Sequence, residues 1–222
     1  MTLDTVFLIT KTSRSPLFQM TNTAGIFVGC AGWNLRKDHQ ALFPAGRSHL
    51  QRYASLLNAV EINSSFYRPH RPATYARWAS EVPDDFRFSV KVPKEITHIR
   101  RLIDVRQQTH QFVNEVAHLE QKLGPLLVQL PPTLQFQVPI AEEFFADLRI
   151  VHSGMIVCEP RHPTWFTPQA EELLERYKIA RVAADPAVVP VANKPAAYGS
   201  PGPARPPRST RASPRSGADR TR

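Results

Sequence analysis

Charged and amide side chains recur at the ends of short apolar, β-branched runs. Glu61 and Asn63 close AVEIN, Lys91 closes FRFSVK and Gln129 closes PLLVQ; Glu159 and Arg161 follow MIVC, and Asp185 follows IARVAA. Such a set suits acid–base chemistry on a small anionic ligand. Lys91, Arg161 and Arg100 have the charge to hold a phosphate or carboxylate, and Glu61 or Glu159 can move a proton. Burial raises a carboxyl pKa or lowers that of a lysine, tuning either for transfer near neutrality. A lysine in this position can also form a Schiff base with a carbonyl substrate.

Other chemistries fit less well. Glu61, Glu159, Asp185, His98 and His162 are the right types for a Mn²⁺ or Zn²⁺ phosphodiesterase acting on nucleic acid. No H-x-H or H-E-x-x-H spacing is present, and Arg161 separates Glu159 from His162. A glycosidase needs paired carboxylates, but the fourth run ends in Gln129. The plainest alternative is a set of ion pairs satisfying each other, Lys91 with Glu61 or Glu159. A non-catalytic binding protein would instead use Trp33, Phe66, Tyr67, Trp165 and Phe166 as a pocket rim. Catalysis is therefore expected of Glu61, Lys91, Glu159 and Asp185. Ligand binding is expected of Trp33, Asn63, Tyr67, His98, Arg100, Gln129, Arg161 and His162. No metal is assigned and the cofactor is left open; the expected partner is a small molecule, with nucleic acid weakly supported and no membrane.

Those residues need strands to position them. Period-2 alternation predicts strands at Ile26–Gly32, from Ala59, and at Phe86–Val92, Leu126–Leu130, Met155–Cys158 and Ile179–Ala184. Period-3.6 patterns predict helices at Ser48–Leu57, Pro72–Ser80, 104–123, Ile140–Arg149 and Gln169–Tyr177. Parity puts Glu61 with Asn63, Ser89 with Lys91, Leu127 with Gln129, and Val157 with Glu159 and Arg161 on matching faces. Strand then helix, six times over at roughly 30-residue spacing, predicts parallel strands with right-handed crossovers. No G-x-G-x-x-G follows the first strand, so the dinucleotide-binding version of a doubly wound sheet is not supported. Polar residues at successive strand ends favour a (β/α) barrel, whose site is built there.

The chain of 222 residues is 42% hydrophobic, enough for a core, and no run approaches the roughly 18 apolar residues of a membrane span. Its net charge of +9 is lopsided: residues 191–222 hold seven basic side chains against Asp219, a net +6, leaving +3 for the rest. The body is thus only mildly basic, a weak argument for nucleic acid. Two cysteines, Cys30 and Cys158, sit in apolar runs and read as buried, reduced thiols in a cytoplasmic protein. Residues 1–24 read as a weakly ordered leader in which Met20 is a possible start. From 199 onward nothing apolar is larger than Ala or Pro. That segment cannot build a core, and out-of-frame translation accounts for its Pro/Arg/Ala/Gly/Ser composition better than a basic nucleic-acid arm does.

Six motifs, in order, resemble the YecE-like family, domain of unknown function 72: VGCAGW (Val28–Trp33), VEINSSFYRP (Val60–Pro69), FRFSVKVPKEITHIRRL (Phe86–Leu102), LGPLLVQLPP (Leu123–Pro132), CEPRHPTWF (Cys158–Phe166) and AADP (Ala183–Pro186). The resemblance implies a TIM-type barrel over 25–190 and no defined reaction. Two departures stand out. AAYGSPGPARPP replaces the family's later strands, which implies an incomplete barrel of about six of eight units with a disordered tail over 191–222. Cys30-Ala31 stands where the family usually has Thr-Ser, removing two hydroxyls.

Overall fold

The computed structural model describes the backbone of residues 6–10 and all of residues 26–193. The expectations for Met20 and for the tail beyond 193 lie outside the described residues. Among the described residues there are seven strands: β1 (Val6–Thr10), β2 (Ile26–Cys30), β3 (Ala59–Ile62), β4 (Arg87–Lys91), β5 (Leu123–Gln129), β6 (Ile156–Glu159) and β7 (Ile179–Arg181). The helices are α1 (His49–Ala54), α2 (Ser64–Tyr67), α3 (Pro72–Ser80), α4 (Arg106–Val116), α5 (Val138–Val151) and α6 (Pro168–Arg176).

Strands β3 to β7 form one parallel sheet in chain order. Among the described residues the sheet does not close, and the architecture is α/β with a five-stranded parallel sheet flanked by helices. The expected first strand, β2, stands outside that ladder. It pairs antiparallel with β1, inside the expected leader, from Val6 opposite Cys30 to Thr10 opposite Ile26. Only Ala31 bridges to β3, opposite Glu61, with the Gly32 N–H donating to the Glu61 carbonyl at 3.0 Å.

Side chains replace the missing ladder. Asn58 Oδ1 accepts the Val28 N–H at 2.8 Å while its Nδ2 donates to the Ile26 carbonyl at 2.9 Å. Tyr53 Oη accepts the Cys30 N–H at 2.8 Å and donates to the Ala59 carbonyl at 2.9 Å. The chain also approaches closely here: a Cβ on Gly29 would lie 2.2 Å from the Ala59 carbonyl oxygen. Tyr53→Phe is therefore expected to cost about 1–3 kcal/mol, because it removes the partner of the buried Ala59 carbonyl and of the part-buried Cys30 N–H. Urea unfolding would read this as a lowered midpoint, and an unchanged midpoint would mean that β2 contributes nothing to the cooperative unit.

One face of the sheet packs under the helices. Val60, Ile62, Phe88, Val90, Leu126, Val128, Ile156 and Cys158 join Phe112, Val116, Phe144, Phe145, Leu148, Leu173 and Leu174 in a continuous core. Helix starts are capped as their sequence allows. Ser48 Oγ accepts the Gln51 N–H ahead of α1, and Thr167 Oγ1 accepts the Ala170 N–H ahead of α6.

The expected long helix over 104–123 is cut at Val116. It passes into a 3₁₀ turn, Ala117–Lys122, in which Glu120 takes φ 52°. Strand β5 then starts at once, at Leu123, rather than after Gly124-Pro125. Pro125 has no N–H for a ladder, and β5 accommodates it as a bulge: Phe88 pairs with Leu123 but Val90 with Leu126. That extra residue leaves Leu127 beside Lys91 and Gln129 beside Glu159.

Candidate functional site

The face opposite the helices carries Glu61 on β3, Ser89 and Lys91 on β4, Leu127 and Gln129 on β5, and Val157 and Glu159 on β6, matched across the sheet by register. Parallel pairing keeps side chains in register on one face, so the C-terminal ends bring Glu61, Lys91, Gln129 and Glu159 into one neighbourhood. Arg161 joins them from the following loop. Its Nε donates to Glu159 Oε1 at 2.6 Å, and its Nη2 contacts the same oxygen. Gln129 Nε2 donates to the other oxygen, Oε2, at 3.0 Å. Glu159 is thus fixed in place by two partners.

Glu61 is different. The residue is 6% exposed, and among the described residues no hydrogen bond or ion pair engages its carboxyl. Burial pushes its pKa up to about 7; the Lys91 charge pulls it back and the Glu159 charge adds to the rise. Lys91 answers from the next strand. Burial lowers its pKa, the Glu61 and Glu159 charges oppose that, and Arg161 adds to it. The Lys91 ammonium sits 4.6 Å from the Phe66 ring centroid. His98 meets the same ring edge-on at 4.9 Å, and burial, then Lys91, lowers its pKa.

Ser65 ties this corner together. Its Oγ lies 2.8 Å from the Ile62 carbonyl and 2.7 Å from that of Lys91, so one buried hydroxyl links the ends of β3 and β4. Sequence reasoning does not single out Ser65 as a site residue; its signal is a small hydroxyl three residues beyond an apolar strand, able to bond back to a strand-end carbonyl. Asn63, between them, has an enclosed Oδ1 with no hydrogen-bond partner.

Five expected site residues lie elsewhere. Trp33 packs edge-on against Trp78 at 4.9 Å and Phe88 at 6.4 Å, in the layer behind the sheet. Tyr67 is 66% exposed and edge-on to Phe66, with the Lys94 ammonium 6.0 Å from its ring centroid. Arg100 pairs with Glu95 at 3.0 Å on the surface, because the π-helical turn Glu95–Ile99 carries both outward. His162 Nδ1 accepts the Thr164 N–H at 3.2 Å and caps the turn Pro163–Phe166. Asp185 stands exposed on the loop after β7. Trp165, expected at a rim, is buried.

Among the described residues no group of three His, Cys, Asp or Glu side chains is placed to hold a metal ion. Among them, too, no helix is long and apolar enough to cross a membrane. Arg181, absent from the residues that sequence reasoning selects, pairs with Cys158 in register and so faces the helices. There its Nε donates to Glu171 Oε1 at 2.7 Å.

A parallel α/β sheet with a charged cluster at its strand ends and the six motifs in order defines the class. The chain belongs to the family described as Protein of unknown function DUF72, which matches residues 27–218 and so runs past the expected domain end at 190. It is 29% identical over 148 residues to UPF0759 protein YecE of Escherichia coli (strain K12), covering 66% of this chain and 52% of that protein. It is 31% identical over 156 residues to UPF0759 protein YunF of Bacillus subtilis (strain 168), covering 64% and 53%. The chain spans about half the length of these curated relatives. Among solved structures it is similar to a DUF72 family protein from Enterococcus faecalis V583, with TM-score 0.58, 25% identity, and 70% and 59% of the two chains covered. A DUF72 family protein from Thermotoga maritima MSB8 gives TM-score 0.57 at 24% identity, with 70% and 63% covered, and speaks to the fold alone.

Proposed function

We propose that this chain acts by acid–base chemistry on a small anionic ligand, phosphate- or carboxylate-bearing, at the C-terminal ends of β3 to β6. In this reading the sheet is an arc of a TIM-type barrel. Strand order that follows the chain without reversal supports it, since a doubly wound sheet reverses at its switch point. The observation that carries the function is Glu61: a buried carboxyl beside Lys91 whose pKa of about 7 lets it take up and release protons at neutral pH. Lys91 and Arg161 supply positive charge for the anion, while Gln129 and Glu159 orient Arg161. Asn63 offers a free acceptor at the same strand end. Nothing favours the phosphodiesterase alternative: His162 caps the turn after β6 and Asp185 is exposed on the loop after β7.

A panel of phosphorylated and carboxylated small molecules tests this by thermal unfolding. At least one member is expected to raise the unfolding temperature of the wild type. The shift should vanish in Lys91→Met and survive in Asp185→Asn. For the stabilising ligand, exchange of an acidic C–H with D₂O should be lost in Glu61→Gln. The reading fails if no member stabilises the protein or if Lys91→Met binds undiminished.

A further inference from the structure

Lysines in this fold are put to two different uses. Lys122 is structural: its ammonium donates to the Ala79 and Val82 carbonyls at 2.8 and 2.7 Å and lies 3.4 Å from Asp84. Lys91 has no such anchor. Among the described residues its Nζ has no carbonyl or carboxylate partner, only the face of Phe66. It is half-buried at the end of β4, close enough to the Glu61 and Glu159 carboxylates and the Arg161 guanidinium to feel their charges.

An amine meant only to hold an anion gains nothing from an aromatic wall and a nearby free acid. We propose that Lys91 is a nucleophile that condenses with the carbonyl of a small anionic aldehyde or ketone, with Glu61 supplying and recovering the proton. The inference rests on the acid–base reading of the same site and narrows its substrate to oxo-acids and phosphorylated carbonyl compounds.

The step balances without oxidant or reductant. The neutral Nζ lone pair forms a C–N bond to the carbonyl carbon as the C=O π pair moves to oxygen, and proton transfer from nitrogen to oxygen gives a carbinolamine. The C–O bond then breaks. Its oxygen takes the Glu61 proton and departs as water, leaving a protonated imine on Lys91 and a carboxylate on Glu61. Burial acts in the required direction on both groups, lowering the proton affinity of Lys91 and raising that of Glu61. The pair is thereby biased toward the amine and the acid that the condensation consumes. Arg161, adjacent and cationic, is placed to receive the substrate's anionic group.

Reductive trapping tests this on the intact chain. The protein is incubated with pyruvate, glyoxylate or dihydroxyacetone phosphate and sodium cyanoborohydride, with acetone as neutral control, and modified lysines are located by peptide mass mapping. At least one anionic probe is expected to label Lys91 at least tenfold faster than the exposed Lys37 and Lys94, and acetone should show no such preference. Glu61→Gln should slow Lys91 labelling at least tenfold. Lys91→Arg keeps a cation at this position but has no nucleophilic amine, so no adduct should form at residue 91. Should Lys91→Arg fail to fold, the wild-type mapping decides alone. Adducts spread evenly over surface lysines, or Lys91 left unmodified while anions still stabilise the protein, would overturn this inference and leave the acid–base reading standing. Unmodified Lys91 with no anion stabilising the protein would remove both.

Discussion

Glu61→Gln makes the fold more stable at pH 8 by on the order of 3 kcal/mol and flattens its pH dependence between about 4.5 and 7. The carboxyl has a folded pKa near 7 against about 4.5 for the exposed group, chiefly because it is buried. Between those values the native state holds a proton that the unfolded chain has released. The slope that Glu61 adds to unfolding free energy with pH is therefore negative: its contribution is most favourable below about 4.5 and declines until pH passes 7. Every tenfold difference in proton affinity between the folded and unfolded chains is worth about 1.4 kcal/mol, which sets the magnitude. The amide cannot ionise, so the variant escapes that decline, although Lys91 loses a favourable neighbour and returns part of the gain. Urea unfolding at pH 4, 6 and 8 measures it. The two curves should meet at pH 4 and separate by pH 8; parallel curves would show that Glu61 titrates as an exposed carboxyl. A buried carboxyl kept at such a cost to stability is what a site demands.

Much of this site was legible before the fold was known, for a simple reason. Alternation has period two in a strand, so Glu61, Lys91, Gln129 and Glu159 could be put on one face from spacing alone, and the register agrees. Loop residues have no such rule. His98, Arg100 and His162 were equally polar in sequence, yet a π-helical turn sends Arg100 to Glu95 and a capping bond claims His162. Trp33 and Trp165 looked like rim aromatics because composition does not reveal which side of a layer a ring occupies. Both pack away from the charged face. The edge of the sheet was the least readable part. β2 has a strand's composition, but Asn58 and Tyr53 occupy its backbone groups in place of a continuous ladder, a long-range arrangement that local periodicity does not encode.

Trp165→Ala is expected to lower stability by about 3–5 kcal/mol, the range for emptying a large aromatic from a core. Trp165 is 1% exposed, packs edge-on to Phe136 at 4.9 Å and Phe145 at 6.4 Å, and donates Nε1–H to the Leu134 carbonyl at 2.9 Å. Its neighbour Thr164 accepts the Phe136 N–H at 2.7 Å. Together these bonds fasten the loop after β6 to the loop after β5, and Arg161 and Gln129 stand at the bases of those loops. Trp165→Phe separates the two contributions: it keeps most of the packing and leaves the Leu134 carbonyl unpaired, for about 1–3 kcal/mol. Urea midpoints rank the variants, and the anion-induced thermal shift reads the site. Loosening the β6 loop frees Arg161 to leave Glu159, so anion binding should weaken along with stability. Glu61→Gln differs from both: it gains stability at pH 8 while losing proton transfer. If Trp165→Ala lost stability but bound anions as before, Arg161 would be held by Glu159 alone, with the aromatic anchor serving only the core.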